Sequence, residues 1–474
     1  MKKIILIILV VCQLTAIVSC AADRALPQQE TPPSQITAQS ESPGQMTVTA
    51  ITEPAATKSM SSTISVSAQG PYTTGNSVVV DKLAIITTEK SRDPEWHSVQ
   101  PILEKYGTDR ILHVAWPGPY MEENAKMIEL VDNLSTDASI KAVIVNPAVP
   151  GTIEAFQTLR EKRKDILVIF CNPVVNIFGI REVDIARTAD LILTMDHLGM
   201  APDMVTQAQK LGAKTFVHYS TDRYRMDPVT AKQHDLIRDN CETLGIQFIS
   251  VIIPDPLSEE PPDAHVFLTN SIQETTARYG RDTAFFLTMI GSSLPGTLIK
   301  EVVDTGALFP QPAYPSPFSG LDYGLFGTYI FGDGCEVNPV TYEETYISIA
   351  DPSVFIERTR AALAEKNMLG RVSTWPVDST YLYTAACVDY AFTVMDGRRP
   401  VKGADSGGQN QPGGNDDSAD STDSTGNVEI NVELLCKIMS EYAGVDVRLT
   451  PFEDEATGAS YTQYLMMKMD YLTY

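Results

Sequence analysis

Basic residues are scarce in this chain of 474 residues: 36 lysines and arginines stand against 60 aspartates and glutamates, and the formal net charge is −24. A protein that holds nucleic acid needs clustered positive charge against the phosphates, so we expect no nucleic-acid partner. The acidity has two open interpretations, attraction of cationic ligands or a soluble surface that resists self-association. The second is favoured because it needs no ligand.

Cysteine and the common catalytic motifs are also sparse or missing. The seven cysteines are widely spaced and show neither a disulfide framework nor a zinc pattern. The chain has no P-loop, no G-x-G-x-x-G and no H-E-x-x-H, and GSSLPG around Ser292 lacks the G-x-S-x-G elbow. We therefore expect no metal site, no cofactor and no enzymatic activity.

The longest apolar run lies at the start of the chain, where Lys2 and Lys3 precede IILIILVV. This run is short for a membrane span of about 20 residues, and it is typical of a secretory signal. The segment Ile17-Val18-Ser19-Cys20 resembles the lipobox of bacterial lipoproteins, in which the cysteine carries the lipid. The resemblance implies a signal peptide over 1–19, lipidation of Cys20, and attachment to the extracytoplasmic face of a cell membrane.

Two segments have the composition of disordered chain. Residues 20–79 are rich in Pro, Gln, Ser and Thr, with few aromatic residues, and predict a flexible tether. Residues 403–427 lack apolar residues other than Ala, carry only acidic charge and predict a disordered loop.

Between these segments, short apolar runs alternate with amphipathic stretches. Nearly continuous apolar runs are typical of parallel strands that helices cover on both faces, so the pattern predicts an α/β fold. The predicted strands are KLAIITT (82–88), ILHVAWP (111–117), IKAVIVNP (140–147), ILVIFCNP (166–173), LILTMD (191–196), TFVHYS (215–220), QFISVIIP (247–254) and AFFLTM (284–289).

The order of these units resembles the type I periplasmic-binding-protein fold, which sugar-binding periplasmic proteins share with LacI-type effector domains. Residues 189–245 resemble the crossing between its lobes, and residues 281–310 resemble a later strand, loop and helix. Over about 82–402 the chain also resembles an uncharacterised family of bacterial lipoproteins, domain of unknown function 3798, which carries this fold.

This resemblance implies two Rossmann-like lobes, each a parallel sheet flanked by helices. The tail lies outside the shared layout, and we expect it to be a helical appendage. The implied boundaries are 80–198 for the first lobe, 199–350 for the second, 351–402 for a return segment that completes the lobes, and 428–474 for the appendage.

Ligands of open parallel sheets bind beyond the carboxyl ends of the strands, where loops and helix N-termini converge. This rule selects polar residues and an indole that could stack on a sugar or a nucleobase. In the second lobe, sugar-binding relatives use a similar loop to supply an arginine; here Arg223 and Arg225 compete for that place, and Arg223 is preferred. The predicted ligand-binding residues are Thr88, Glu89, Trp116, Asn146, Asn172, Asp196, Ser220, Arg223, Thr288 and Met289.

Several of these residues have structural alternatives. The Asn-Pro pairs after the third and fourth strands also suit simple turns, and Asp196 also suits a helix cap. Arg223 also suits a surface ion pair, and Met289 also suits the core.

Two functions are consistent with these features. The leading hypothesis is a membrane-anchored extracytoplasmic solute-binding lipoprotein that captures a small polar ligand between its lobes for an ABC importer. The alternative is a lipid-anchored sensor or scaffold for a protein or envelope partner, without transport, which the acidic loop and the tail motivate. Fold analogy alone supports the transport hypothesis.

Overall fold

The apolar runs predicted as strands all form strands. The computed structural model describes residues 81–88, 94–118, 123–174, 182–256, 263–288, 294–310, 321, 325, 352–396, 430–454 and 457–474. The predictions for the signal peptide, Cys20, the tether, Glu89, Met289 and the acidic loop lie outside these residues.

The first lobe is built on one large sheet. Its strands are β1 (Lys82–Thr87), β2 (Ile111–Ala115), β3 (Ile140–Val145), β4 (Leu167–Cys171), β5 (Leu191–Met195), β11 (Val447–Asp454) and β12 (Ala459–Met469). Its helices are α1 (Pro94–Ser98), α2 (Gln100–Tyr106), α3 (Asn124–Thr136), α4 (Thr152–Lys162), α5 (Glu182–Ala186), α12 (Ser379–Met395) and α13 (Val432–Ala443). The strand order is β11-β12-β5-β4-β3-β1-β2, and every pair is parallel except β11 with β12.

The second lobe has a separate sheet. Its strands are β6 (Thr215–Ser220), β7 (Gln247–Ile252), β8 (Thr283–Thr288), β9 (Phe309–Pro310), β10 (Val372–Thr374) and β13 (Leu472–Thr473). Its helices are α6 (Met200–Lys210), α7 (Asp222–Met226), α8 (Pro228–Thr243), α9 (Ala264–Tyr279), α10 (Leu294–Thr305) and α11 (Pro352–Glu365). The order is β7-β6-β8 and β9-β10-β13, and a parallel bridge between Ala284 and Leu308 joins the two groups.

The sheet of the first lobe is buried on both faces. Leu83 and Ile85 of β1 face one apolar cluster, whereas Ala84 and Ile86 face another. Side chains of a strand alternate between faces, so a continuous apolar run is what a doubly covered strand requires. The first cluster is continuous with the core of the second lobe through residues such as Trp375.

The chain crosses between the lobes three times within the described residues, at 196–199, 375–378 and 470–471. The first and third crossings lie side by side, since Lys468 Nζ is 3.0 Å from a carboxylate oxygen of Asp203 and Gln207 Nε2 donates to Thr473 Oγ1 at 3.0 Å. These contacts tie the end of β12 and the start of β13 to α6. The lobes are therefore joined by adjacent segments on one side.

The tail does not form a helical appendage. Only α13 is helical in its described part; β11 and β12 extend the first sheet, and β13 adds to the second. The run YLMMKM suggests a helix by propensity, because Leu, Met and Lys favour helices. The unpaired edge of β5 outweighs that propensity, since β12 supplies the hydrogen bonds that the edge would otherwise lack.

No helix in the described ranges is both long enough and apolar enough to cross a bilayer.

Substitution of Leu465 tests the role of the tail. Leu465 is fully buried in β12 and lies opposite Leu193 of β5, so Leu465→Ala should lower the free energy of unfolding by about 3 kcal/mol through lost burial and a cavity. Urea denaturation measures this, with Leu369→Ala as the matched control because Leu369 is 49% exposed. Equal stability of the two variants would contradict the packing of the tail into the sheet of the first lobe.

Candidate functional site

The carboxyl ends of β1 and β2 bring Thr88 and Trp116 together. Thr87 lies opposite Ala115 in the parallel register, so the next residue of each strand follows side by side. The Trp116 side chain is buried, and neither Thr88 Oγ1 nor Trp116 Nε1 has a hydrogen-bond partner among the described residues. Buried polar atoms are almost always hydrogen-bonded, so this pair is unusual for a folded protein.

Asn146, at the end of β3, is satisfied within the protein. Its amide Nδ2 donates to the Thr380 carbonyl at 3.0 Å and to Thr384 Oγ1 at 2.8 Å, and its Oδ1 accepts from Asn172 Nδ2 at 3.2 Å. Asn146 is fully buried and holds the first turns of α12 against the sheet. Asn172 has a φ of 46°, a left-handed turn conformation that Asn tolerates. Both residues thus serve the protein's own structure here.

Asp196, directly after β5, also forms its hydrogen bonds within the protein. Its Oδ1 accepts from the Gly199 backbone N–H at 2.7 Å, and its carbonyl accepts from the Met200 N–H at 2.9 Å. The side chain therefore shapes the first crossing at the start of α6, as a cap would.

In the second lobe, Ser220 ends β6, Thr221 follows it, and Thr288 ends β8. Both Ser220 and Thr221 are buried, and Thr221 Oγ1 has no hydrogen-bond partner in the described part of the chain. Thr221 is absent from the predicted set, although it sits next to Ser220 at the strand end that the rule selects. Ser220 Oγ donates only locally, to the Thr221 carbonyl at 3.3 Å.

Arg223 forms an ion pair with Asp255, with 2.6 Å between Nη2 and Oδ2. Both side chains are partly exposed, which makes this a surface pair of modest strength. The pairing connects the loop after β6 to the loop after β7.

A cavity of about 300 Å³ lies elsewhere, between α2, α12 and α13. Tyr106, Asp389, Phe392 and Arg110 are among its lining residues, and the Arg110 guanidinium lies 4.3 Å from the centre of the Phe392 ring. Arg110 precedes β2, so this cavity is at the amino edge of the first sheet. Ligand sites of open parallel sheets form at the opposite edge, so we keep the strand ends as the candidate site.

Residues 82–337, more than half of the chain, match the family model described as "Protein of unknown function (DUF3798)". This chain belongs to the DUF3798 family. Two uncharacterized proteins of Treponema pallidum (strain Nichols) are similar to it. One is 28% identical over 176 residues, which are 37% of this chain and 78% of that protein, and the other is 28% identical over 146 residues, which are 31% and 64%.

A solved structure shows the fold of this DUF3798 member. A crystal structure from Clostridium difficile 630, of a protein named as a transcriptional regulator, matches with a TM-score of 0.65 and 17% identity over 83% of this chain and 99% of that one. A sugar ABC transporter from Actinomyces odontolyticus ATCC 17982 matches with a TM-score of 0.41 and 10% identity over 68% and 86% of the two chains. The prediction of a two-lobed α/β fold of the type I periplasmic-binding-protein kind is confirmed.

A buried histidine of the DUF3798 chain lies beneath the strand ends of the second lobe. His218 Nε2 lies 2.7 Å from Thr288 Oγ1, and that hydroxyl donates to Gln233 Oε1 at 3.4 Å. The Thr288 oxygen is then the acceptor for Nε2–H, and His218 Nδ1 has no partner within the described ranges. Gln233 Nε2 donates in turn to the His197 carbonyl at 2.9 Å, which links the network to the first crossing.

This environment keeps His218 neutral. Burial lowers the pKa of His218 well below its ordinary value, and the nearby His234 and Arg225 lower it further. Protonation would place an N–H donor at Nδ1 with no acceptor among the described residues. The unpaired buried donor would therefore also disfavour the charged form of His218. Thr288 therefore belongs to a structural network, and its hydroxyl is already engaged.

Acid should destabilise the fold through His218. A base whose pKa is lower in the folded state contributes stability that is present above its unfolded pKa, near 6.5, and is lost as pH falls toward the folded pKa. Between pH 6.5 and 5.5 the free energy of unfolding should fall by about 1 kcal/mol for this histidine. In His218→Gln, the loss of stability between pH 6.5 and 5.5 should be smaller by about 1 kcal/mol.

Chemical denaturation at a series of pH values measures the loss. His265→Gln is the control, because His265 lies outside this network and contacts Thr297; that variant should keep the acid sensitivity of the parent. An unchanged pH dependence in His218→Gln would refute the role given to His218.

Proposed function

We propose that this chain is an extracytoplasmic solute-binding lipoprotein that captures a small polar ligand, such as a sugar or a nucleoside, between its two lobes. The observation that carries the proposal is the set of buried polar atoms without partners at the strand ends. Thr88 Oγ1 and Trp116 Nε1 lie at the ends of the first sheet, and Thr221 Oγ1 lies at an end of the second. A ligand that hydrogen-bonds to all three would remove the penalty of leaving them unpaired.

The fold supports a closing motion around such a ligand. Both sheets belong to one compact unit, yet they are separate sheets joined by adjacent crossings. The continuous apolar core through Trp375 keeps the lobes together at the crossings. These three atoms are buried and have no partner among the described residues, so entry of a ligand would require the strand ends to separate and then close.

The charges at the strand ends favour an uncharged ligand. The Asp196 carboxylate is bound to the backbone before α6, and the Arg223 guanidinium is bound to Asp255. Among the described residues, the partnerless atoms at the strand ends are two hydroxyls and an indole N–H, which exchange hydrogen bonds with hydroxyl or amide groups. A polyhydroxylated or amide-bearing solute is thus the best chemical match.

Substitutions that delete one polar atom test ligand binding. Thr88→Val, Trp116→Phe and Thr221→Val should each weaken binding about tenfold, because each removes one hydrogen bond from a buried site. Thr88→Val and Thr221→Val should fold as stably as the parent or more so, since these hydroxyls make no hydrogen bond with any described residue, whereas Trp116→Phe also removes part of a buried ring and should be less stable. A thermal-shift screen of sugars and nucleosides identifies the ligand, and calorimetry gives the affinities.

Thr276→Val is the matched control. Thr276 Oγ1 is also buried and without a partner, but it lies in the last turns of α9, at the amino edge of the second sheet. This variant should bind the ligand as the parent does. The proposal fails if no sugar or nucleoside raises the melting temperature, or if the control weakens binding as much as the strand-end variants.

We also propose that the chain is anchored to a membrane by lipid and serves transport. The lipobox-like segment ending at Cys20 supports lipid attachment, and the composition of residues 20–79 supports a tether that holds the lobes away from the membrane. A tethered receptor that closes on its ligand suits delivery to an ABC importer.

Substitution of Cys20 tests the anchor. Cys20→Ala should abolish incorporation of a labelled fatty acid and move the protein from the detergent phase to the aqueous phase, because the lipid is the proposed source of membrane affinity. Cys12→Ala is the control, since Cys12 lies in the signal segment, and it should be labelled like the parent. Labelling that persists in Cys20→Ala would exclude this cysteine as the lipid site.

A further inference from the structure

Two buried thiols meet in the first lobe. Cys171 ends β4 and Cys387 lies in α12, 216 positions later, and their Sγ atoms are 3.9 Å apart. Neither side chain is exposed to solvent. Cys241 and Cys436 make no such sulfur contact in the described part of the chain, so this pair is distinguished by its packing.

We propose that Cys171 and Cys387 form a structural disulfide when the chain folds in the presence of an organic disulfide. A disulfide needs its sulfurs at about 2.05 Å, so both side chains would rotate from the 3.9 Å separation to form the bond. In a cell the oxidant requires an oxidising compartment, which the proposed export would supply.

The reaction is two thiol–disulfide exchanges. The thiolate of one cysteine attacks a sulfur of the organic disulfide and expels one small thiolate, which leaves a mixed disulfide on the protein. The second cysteine thiolate attacks the protein sulfur of that intermediate and expels the other small thiolate. Two cysteine thiols are oxidised, one organic disulfide is reduced to two thiols, and these take up the two protons.

The surroundings require this bond to form before the lobe is fully packed. Burial raises the pKa of Cys171 well above its ordinary value, which suppresses the thiolate that exchange needs. The Tyr383 side chain, which lies close to both thiols, is also fully buried. Once folded, the thiols resist oxidation and the disulfide resists reduction.

The bond would fasten the second crossing to the first sheet. Helix α12 directly follows residues 375–378, and its first turns already receive the hydrogen bonds of Asn146. A covalent link from β4 to Cys387 closes a long loop, and such links restrict the unfolded chain strongly. The disulfide would therefore stabilise α12, from which the crossing extends to the second lobe.

Refolding of the full chain tests the proposal without depending on export. The protein is unfolded with denaturant and reductant, refolded with glutathione disulfide, alkylated, digested without reduction and examined by mass spectrometry. The Cys171 and Cys387 peptides should be recovered linked, and the oxidised protein should melt roughly 5 °C or more above the reduced protein. Glutathione disulfide added after folding should leave both thiols reduced.

Single variants provide the controls. Cys387→Ala should lose the linked peptide and the gap in melting temperature between oxidised and reduced protein, whereas Cys241→Ala should keep both. Recovery of Cys171 and Cys387 as alkylated thiols after oxidative refolding, or linked to other cysteines, would overturn the proposal. Equal melting temperatures for the oxidised and reduced parent would overturn the structural role.

Discussion

The pairing of β12 with β5 is the constraint on which the rest of the structure depends. Tyr464 to Met467 pair with Ile192 to Met195 and extend the parallel sheet of the first lobe by one strand. The chain then turns within two residues, and Thr473 pairs with Ser373 in the second sheet. The last strands therefore pair with both sheets and link the two lobes.

Polar groups at the strand ends have two different fates. Asn146 and Thr288 are engaged by protein partners, so they stabilise the crossings and the sheets. Thr88, Trp116 and Thr221 each keep a buried polar atom without such a partner. A buried donor or acceptor without a hydrogen bond costs on the order of 1–3 kcal/mol of stability. The second group therefore destabilises the fold unless a ligand forms those hydrogen bonds.

The rule of strand ends selected polar residues at the ends of the sheets, but it could not tell which of them are bonded within the protein. From sequence, Asn146 and Thr88 are equivalent: each is a polar residue directly after an apolar run. What separates them is Thr384, which is 238 positions from Asn146 and reaches it only because α12 packs on the sheet. Thr221 was missed for the same reason, since nothing local marks its hydroxyl as partnerless.

The sequence by itself determined strands β1 to β8, because strands packed beneath helices are apolar almost without interruption, and that requirement is local. It also determined the strand ends as the polar region of each sheet. Only the tertiary structure decided that the tail completes the sheets and that Cys171 meets Cys387. Edge pairing and side-chain contact depend on segments hundreds of residues apart. The free energy of such contacts depends on both partners together, so it cannot be inferred from either segment alone.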